Sequence, residues 1–412
     1  MRVAQINMCS NGSTGKIMVM IAKTAREDGM QVLTCSAADR IKGKSSQVKE
    51  IQDHFIWGSP LEREFHVYAG IILGRNGMFS RIGTRALIKR LKLFQPDIVH
   101  LHNLHSFCIN LPLLFRYLRK NNISVVWTLH DCWAFTGHCP HFTMVKCDKW
   151  KTGCGKCPQL DCYPKTWIDT TRMMFKQKRK WFCGIKDMTI VTPSCWLADL
   201  ARQSFLNLYQ IRVINNGIDL SVFKPTESNF LQKYGISNDK AVLLGVAFGW
   251  GKRKGLDVFI ELFKRLDREK YQIVLVGTDD KIDERIPDGI ISIHRTNDQK
   301  ELAQIYSSAD LFVNPTREEN FPTVNIESLA CGTPVLTFRT GGSPEILDDH
   351  SGSVVPCDDI EALEKEIVRI CETKPYQRDV CIKRAAQFDM YEKFKEYVSL
   401  YEDCAYSTEL PF

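Results

Sequence analysis

Short runs of apolar, Val- and Ile-rich residues alternate with longer helix-patterned stretches along this 412-residue chain. Near-continuous apolar runs are typical of strands buried on both faces, and their alternation with helices predicts parallel sheets with right-handed crossovers. Two successive series of six runs therefore predict two doubly wound α/β domains. The runs begin at Val3, Gln31, Asp97, Ile123, Met188, Ile211, Ala241, Gln272, Gly289, Asp310, Pro334 and Gly352.

The segment Ile214–Pro225 supplies the predicted connection between the domains. Asn216-Gly217 is a turn signal and Pro225 ends the segment, as expected of a hinge. Ligands of such sheets bind at the carboxyl ends of the strands, so we expect the site in a cleft between two facing domains. The expected parts are a first domain at 1–220 with a cysteine-rich insertion at 132–165, a second domain at 221–386, and a C-terminal helix at 387–412 packed back on the first domain.

Composition is that of a globular protein, with 44% hydrophobic and 25% charged residues. The N-terminus lacks a signal-peptide pattern, and no run of 18 apolar residues occurs. We therefore expect a cytoplasmic protein, in which the sixteen cysteines do not form a disulfide framework.

The net charge of +7 is unevenly spread, with many cations between Lys146 and Lys180. This basic run is either a solvated helix face, as such runs usually are, or a patch for an anionic membrane or an anionic lipid-linked substrate. Nucleic acid is not expected as a partner, because no aromatic residues interleave the charges and no nucleic-acid module is present. The cations are Lys149, Lys151, Lys156, Lys165, Arg172, Lys176, Lys178, Arg179 and Lys180.

The segment Glu319–Ser328, ENFPTVNIES, is the most informative for function. A helix is predicted to follow a strand and loop here and to end at Gly332, with Pro322 in its first turn. Its N-terminus would lie at the carboxyl edge of the sheet, where backbone N–H groups favour phosphate. Glu319 and Glu327 could then hydrogen-bond the hydroxyls of a ribose or a sugar. The alternative for each is an ordinary exposed glutamate.

Two glutamates separated by seven residues, with Phe321 between them and ESLACGTPV completing the helix, resemble the donor-site signature of family-4 retaining glycosyltransferases. TGGSPEIL, at 340–347, resembles the glycine-rich loop that follows it there, and INNGIDLSVF, at 214–223, resembles the interdomain segment. The resemblance covers essentially the whole chain. It implies the GT-B fold, in which an N-terminal Rossmann-like domain binds the acceptor and a C-terminal one binds the nucleotide sugar.

By position, the resemblance implies that Glu319 and the backbone after it contact the donor sugar and that Glu327 binds the ribose hydroxyls. Asn320 and Pro322 replace the glycines that often flank the Phe, and the proline removes one amide donor. The residues expected to bind the donor are Gly12, Gly15, Arg253, Lys254, Glu319, Asn320, Phe321, Pro322, Thr323, Glu327, Gly341 and Gly342.

A glycine-rich turn with three consecutive cations, Lys252–Lys254, follows another predicted strand. Cations in such a turn over a cleft would neutralise a diphosphate leaving group, whereas the alternative is a solvated cluster. Lys254-Gly255 matches the family pattern. The family's arginine five residues earlier is Gly249 here, so Arg253 or Lys252 would have to replace it.

Two strand ends in the first half carry further candidates. A turn containing Gly12 and Gly15 opens a helix and fits close approach to a diphosphate or an acceptor, although it is not a Walker loop. His130, in WTLHDCWAF, matches the family's active-site histidine and would hydrogen-bond the transferred sugar; the alternative is a structural histidine. No metal is assigned to His100, His102 and His105. The residues expected to act in catalysis are His130, Lys254 and Glu319.

Four cysteines, Cys139, Cys147, Cys154 and Cys157, lie within 19 residues. Such a set can close a tetrahedral structural zinc site. Their spacing is wider than that of a zinc ribbon, so four unrelated thiols are the alternative. The segment also resembles an insertion in family members of bacterial exopolysaccharide and O-antigen assembly, of the colanic-acid type, and is predicted to form a lid or knuckle beside the acceptor cleft.

Together these features predict a retaining glycosyltransferase that moves a sugar from a UDP- or GDP-sugar to a growing, lipid-linked cell-surface polysaccharide, peripherally at the inner face of the membrane. In this family the departing diphosphate helps to deprotonate the acceptor, so neither a covalent nucleophile nor a catalytic metal is expected. Two alternatives stay open. A nucleotide-sugar epimerase shares the architecture but needs no acceptor, and a non-enzymatic protein could bind an anionic polymer through a zinc knuckle and the basic run.

Overall fold

The computed structural model describes residues 1–38 and 51–407. They form two compact units. Unit 1 contains Met1–Ile214 and the chain from Lys393 onward, and unit 2 contains Asn215–Glu392. The chain passes from unit 1 to unit 2 between Ile214 and Asn215, at the start of the segment that the sequence marks as a hinge.

Unit 1 is built on a parallel seven-stranded sheet in the order β3-β2-β1-β4-β5-β6-β7. Every residue of β4 and β5 is buried, as expected of central strands covered by helices on both faces. The strands are β1 Arg2–Asn7, β2 Gln31–Ala37, β3 His54–Trp57, β4 Ile98–Leu101, β5 Ser124–Thr128, β6 Met188–Thr192 and β7 Gln210–Val213. The helices are α1 Gly12–Glu27, α2 Pro60–Leu73, α3 Arg81–Phe94, α4 Leu111–Lys120, α5 Thr171–Phe182 and α6 Cys195–Arg202.

One strand of this sheet was missing from the sequence prediction of six. β3 is four residues long, lies at the edge of the sheet and buries only Trp57 fully. An edge strand covered on one side does not need a continuous apolar run, so the pattern used to find the other strands is absent there.

Unit 2 is built on a parallel six-stranded sheet in the order β10-β9-β8-β11-β12-β13. Separate apolar clusters pack on its two faces. The strands are β8 Ala241–Val246, β9 Tyr271–Val276, β10 Ile291–Ile293, β11 Leu311–Asn314, β12 Val335–Phe338 and β13 Gly352–Val355. The helices are α7 Phe230–Lys233, α8 Leu256–Arg265, α9 Asp280–Asp283, α10 Gln299–Ser307, α11 Thr323–Ala330, α12 Ser343–Ile346, α13 Ile360–Thr373 and α14 Arg378–Ala385.

The last helix, α15, spans Met390–Ser407. From Lys393 onward its residues belong to unit 1. The Tyr401 hydroxyl lies 2.6 Å from His100 Nδ1, and Tyr397 accepts a hydrogen bond from Thr128. None of the helices in the described part of the chain is long and apolar enough to cross a membrane.

Both sheets reverse their strand order beside their first strand, between β1 and β4 in unit 1 and between β8 and β11 in unit 2. Such a reversal leaves a crevice at the carboxyl ends of the strands, because the connections on either side leave in opposite directions. The loops that follow these strands are therefore the positions where each unit can hold a ligand.

Candidate functional site

In unit 2 the basic turn after β8 is joined directly to the loop after β11. The cations form a 3-10 turn, Lys252–Lys254, and Arg317 donates its backbone N–H to the Arg253 carbonyl at 2.9 Å. Lys254 Nζ lies 2.5 Å from Glu319 Oε2, with the two side chains 19% and 20% exposed. The structure thus brings together a cation and a carboxylate that the sequence placed 65 positions apart.

Arg317, which the sequence analysis did not single out, fixes this junction. Its side chain is 8% exposed. It donates to both carboxylate oxygens of Asp257, at 2.7 and 2.9 Å, and through Nε to Asp358 at 2.5 Å. It also donates to the Lys252 carbonyl. Bidentate guanidinium–carboxylate pairs hold a fixed geometry, so Arg317 positions the basic turn relative to the loop that carries Glu319.

The glycine-rich turn after β12 packs on the same loop. Gly342 donates its N–H to the Asn320 carbonyl at 2.8 Å. Gly341 has φ +55, and a Cβ there would lie 1.8 Å from the Glu319 carbonyl oxygen. Only glycine allows this approach. Glu319 itself accepts a hydrogen bond from the Asn320 N–H at 3.1 Å, which turns its carboxylate back over the loop.

The helix after this loop begins one residue later than predicted. Pro322 was expected in the first helical turn, but it occupies the N-cap with φ −74 and ψ 108, and α11 starts at Thr323. The extended ψ keeps Pro322 outside the helix, where its lack of an N–H costs no helical hydrogen bond. Phe321 is buried and packs edge-on against Phe388 at 5.7 Å. Its ring anchors the loop, so a ligand contact at this position would involve backbone.

Glu327 lies on α11, half-buried, and accepts a hydrogen bond from the Tyr306 hydroxyl at 3.2 Å. Burial, followed by the neighbouring Glu327 charge, raises the pKa of Tyr306 well above its usual value. Tyr306 therefore stays a hydrogen-bond donor that orients this carboxylate. The alternative of a fully solvated Glu327 is not what the structure shows.

Three buried polar atoms beside these loops have no hydrogen-bond partner within the described residues. They are Asn325 Nδ2 on α11 and, at the glycine turn, Thr340 Oγ1 and Ser343 Oγ. Buried polar groups are nearly always satisfied, by protein, water or ligand. Their position is consistent with a polar ligand bound at the β8–β11 crevice.

In unit 1 the loops after β1 and β4 are joined by Asn7. Its side-chain N–H group donates to the Cys9 carbonyl at 3.0 Å, and its side-chain oxygen accepts from the Asn103 N–H at 3.2 Å. Gly15 lies close to this turn, since a Cβ there would be 2.5 Å from the Ser10 carbonyl carbon. Gly12 has φ +69, and no atom of the described residues lies within 4 Å of its would-be Cβ.

His130, at the end of β5, stacks on His102 with ring centroids 5.5 Å apart and its Nε2 3.2 Å from His102 Nδ1. Burial lowers the pKa of His130 to about 4, against the opposing effect of Asp131. The imidazole is therefore neutral at pH 7 and can hydrogen-bond a sugar hydroxyl. His100 and His102 are fully buried and hydrogen-bonded, so they pack the sheet end.

A second chain of polar groups lies beside His130. His105 Nε2 is 2.9 Å from Asp131 Oδ2, and His105 Nδ1 is 2.8 Å from the Tyr163 hydroxyl. Burial opposes ionisation of Asp131, but His105 and the Trp133 N–H overcome it and lower the pKa of Asp131 to about 2. The sequence contained a partial signal for this pair, because His105 and Asp131 follow two consecutive apolar runs, which the structure pairs as β4 and β5.

Of the predicted site residues, those in unit 2 thus gather around three adjacent loops, and those in unit 1 gather around the ends of β1 and β5. The four cysteines lie together in the insertion. The interpretation of the basic run as a solvated helix face is wrong for one of its cations. Lys178 is only 1% exposed.

Comparison with known proteins identifies the family of this chain. Residues 17–222, half of the chain, match the family model for glycosyltransferase family 4, and residues 227–388 match that for glycosyl transferases group 1. A colanic acid biosynthesis glycosyl transferase of Escherichia coli K12, WcaC, is 25% identical over 328 residues, which cover 75% of this chain and 76% of WcaC.

Solved structures show the same fold. Sucrose-phosphate synthase from Thermosynechococcus elongatus superposes with a TM-score of 0.72 at 18% identity, over 98% of each chain. Anabaena HepE in complex with UDP superposes with a TM-score of 0.69 at 14% identity, over 98% of this chain and all of HepE. The predicted fold class, two Rossmann-like domains of the GT-B type, is confirmed. The chain belongs to glycosyltransferase family 4, and the resemblance seen in its sequence is confirmed.

Proposed function

We propose that this glycosyltransferase transfers a sugar, with retention of configuration, from a UDP- or GDP-sugar to a saccharide acceptor in the assembly of a cell-surface polysaccharide. The observation that carries the donor assignment is the junction of three loops at the β8–β11 crevice, with Lys254, Glu319 and Gly341 in contact. HepE, which has this fold, binds UDP and UDP-glucose, and WcaC is a colanic acid biosynthesis enzyme.

In this proposal Lys254 and Arg253 stabilise the departing diphosphate. Negative charge grows on the leaving oxygen as the sugar–oxygen bond breaks, and pre-positioned cations lower the barrier because they need no reorganisation at that moment. Glu319 pairs with Lys254 in the absence of donor and contacts the donor sugar once it is bound. Arg317 keeps both loops fixed, and such preorganisation is where much of the rate enhancement of an enzyme originates.

Retention is assigned to front-face attack, in which the acceptor oxygen approaches from the side that the diphosphate leaves. The leaving diphosphate takes up the acceptor proton, so no protein base and no catalytic divalent metal is required. Neutral His130 donates or accepts a hydrogen bond with the transferred sugar. Its lowered pKa suits this role, because a charged imidazolium would not be populated near pH 7.

Glu327 is proposed to bind both ribose hydroxyls of the donor nucleotide. A thermodynamic cycle that combines a change in the protein with a change in the ligand tests this. The ligands are UDP or GDP, whichever binds, and the 2′,3′-dideoxy form of the same nucleotide. We expect wild type to bind the dideoxy form roughly 10–100-fold more weakly, since hydrogen bonds to a charged group contribute about 1.5–3 kcal/mol. Measured by isothermal titration calorimetry, Glu327→Ala should bind the normal nucleotide more weakly than wild type does, by a similar factor. It should bind the dideoxy form about as well as wild type does. Equal discrimination by both proteins would contradict the role.

A membrane-associated acceptor is proposed from an apolar stripe on unit 1. Leu61, Phe65, Tyr68 and Ile72 lie on one face of α2 and are 42–83% exposed. Trp167, 68% exposed, lies beside the C-terminal end of this helix, because its backbone N–H donates to the Ile71 carbonyl. The exposed cations Arg75, Arg81 and Lys165 flank it in the sequence. Aromatic and aliphatic side chains beside cations are typical of surfaces that bind anionic bilayers.

The double variant Phe65→Glu, Trp167→Glu tests this surface. We expect its binding to phosphatidylglycerol-containing vesicles to fall at least about 10-fold, because burying each aromatic in the interface contributes about 1.5–3 kcal/mol. Leu208→Glu, at an exposed position before β7, is the matched control and should bind like wild type in the same sedimentation assay. If the double variant also binds like wild type, this surface does not contact the membrane.

A further inference from the structure

The four cysteines of the insertion line a single cavity in unit 1. The cavity is small, with a volume of about 20 Å³, and Cys139, Cys147, Cys154 and Cys157 share it with His138 and Trp150. Cys132 and Cys162, the other cysteines of this segment, do not line it. Spacing alone left open whether these four were unrelated thiols. Their gathering around one space favours a common ligand.

Cys154 packs tightly against the backbone at Gly137. Gly137 donates its backbone N–H to Cys154 Sγ at 3.1 Å. A Cβ at Gly137 would lie 2.8 Å from Cys154 Cβ and 2.3 Å from the Thr171 carbonyl oxygen, so no larger residue fits there. Amide–sulfur hydrogen bonds of this kind stabilise a thiolate over a thiol, because the charged acceptor binds the donor more strongly.

A buried polar atom also lines this cavity without a partner. His138 is 8% exposed, and its Nε2 makes no hydrogen bond with any residue that the structure describes. Buried imidazole nitrogens are normally hydrogen-bonded or bound to metal. The orphaned nitrogen is an observation independent of the cysteines, and a thiolate in the same space would be an acceptor for its N–H.

A buried cation, Lys178, lies close to Cys139 and Cys154. Lys178 Nζ donates to the Trp133 carbonyl at 2.7 Å and lies 3.4 Å from the centre of the Trp133 ring. Within the described residues no carboxylate lies in ion-pair distance of it. A buried ammonium without an ion-pair partner is costly, and an anionic cluster of thiolates nearby would offset that cost.

We propose that Cys139, Cys147, Cys154 and Cys157 bind one structural Zn²⁺ ion. Each thiol loses its proton to solvent and forms one Zn–S bond, with no change in oxidation state. Four thiolates and one Zn²⁺ carry a net charge of −2, which Lys178 partly balances. This assignment does not depend on the proposed donor or acceptor.

Binding requires the cavity to contract. No three of the four sulfurs lie within 4.8 Å of one another, whereas Zn–S bonds of about 2.3 Å in a tetrahedral site place sulfurs roughly 3.8 Å apart. Among the described residues, Asp280, Asp283 and His294 form the set whose possible ligand atoms all lie within 4.8 Å of one another. That set is exposed, and His294 already hydrogen-bonds Asp283, so it is not proposed as a site.

The ion would also support the end of β5. Trp133 donates its backbone N–H to Asp131 Oδ1 at 2.8 Å and accepts from Lys178 through its carbonyl, so it links the His105–Asp131 pair to Lys178, which lies close to Cys139 and Cys154. A metal that holds residues 139–157 together would limit the motion of the turn that carries His130 and Asp131. The zinc is thus assigned a positioning role for these side chains, with no contact to the reacting atoms.

Metal analysis of the purified full-length protein tests this proposal. We expect one zinc per chain in wild type and in Cys162→Ser, the matched control with an exposed sulfur in the same segment. Cys154→Ser and Cys157→Ser should retain less than a tenth of this zinc under the same dialysis. Sub-stoichiometric zinc in wild type, or equal zinc in all variants, would overturn the site.

A second measurement keeps the test valid if the serine variants do not fold. Wild-type protein stripped of metal and reloaded with Co²⁺ should show the intense thiolate-to-cobalt charge-transfer absorption of a tetrahedral sulfur site. Reloading should also raise the melting temperature by several degrees, because the ion binds the folded state alone. A cobalt spectrum without thiolate charge transfer would exclude these cysteines as the ligands.

Discussion

Replacing Lys254 with alanine is expected to lower kcat for sugar transfer by roughly 10²–10³-fold, the usual loss when one pre-positioned group that stabilises transition-state charge is removed. The substitution leaves the diphosphate without one of its two proposed cations and leaves the Glu319 carboxylate, four-fifths buried, without its ion-pair partner. Initial rates of donor consumption measure the effect, and circular dichroism confirms that the variant is folded.

The ion pair can also be purely structural, and Glu319→Gln separates the two cases. If Lys254 binds the diphosphate and Glu319 binds the sugar, Lys254→Ala weakens binding of the nucleoside diphosphate itself. Glu319→Gln then weakens binding of the nucleotide sugar but not of the nucleoside diphosphate. If the pair only supports the loops, both variants lose affinity for both ligands together. That parallel loss in calorimetry would refute the assigned roles.

Gly341→Ala is the second substitution with a large expected effect. Its Cβ would lie 1.8 Å from the Glu319 carbonyl oxygen, so the Glu319–Asn320 loop or the glycine turn must move. We expect the KM for the donor to rise more than about 10-fold, because displacing positioned groups by about 1 Å costs on the order of 10²-fold. Steady-state kinetics with varied donor concentration give this value.

Gly235→Ala is the control for backbone strain. Gly235 also has a positive φ, +64, but no atom lies within 4 Å of its would-be Cβ among the described residues. Both alanines carry the cost of a left-handed conformation, about 1–2 kcal/mol, and should lower the melting temperature. Only Gly341→Ala should change the KM for the donor. Similar kinetics for the two variants would show that the Gly341 turn does not shape the donor site.

The parts of this site that sequence predicts are those at the ends of strands. The basic turn, the Glu319 loop and the Gly341 turn each follow an apolar run, and parallel strands bring their carboxyl ends to one edge. What the sequence lacks is the order of the strands. Strands β8, β11 and β12 lie side by side in the sheet, which determines that these three loops meet.

The long-range ion pairs could not be predicted either, because their partners are far apart in the sequence. Arg317 binds Asp257 and Asp358, 60 and 41 positions away, and no local pattern distinguishes these aspartates from exposed ones. For Lys178 the sequence did contain a local indication of burial, which the surrounding run of charges made hard to recognise. It lies at helical spacing from the buried Met174, Phe175 and Trp181, on the apolar stripe of α5. Position on a helix face, and not charge, predicts burial there.

The central claim is that this chain transfers sugar from a nucleotide sugar with retention, and proton NMR of donor turnover tests it most directly. Purified protein is incubated with UDP- and GDP-sugars, each with and without saccharide acceptors. We predict that one donor is consumed, slowly by hydrolysis without an acceptor, and that the sugar first released keeps the anomeric configuration of the donor. Release of the opposite anomer would contradict retention, conversion into another nucleotide sugar would indicate an epimerase, and no turnover of any donor would contradict the account as a whole.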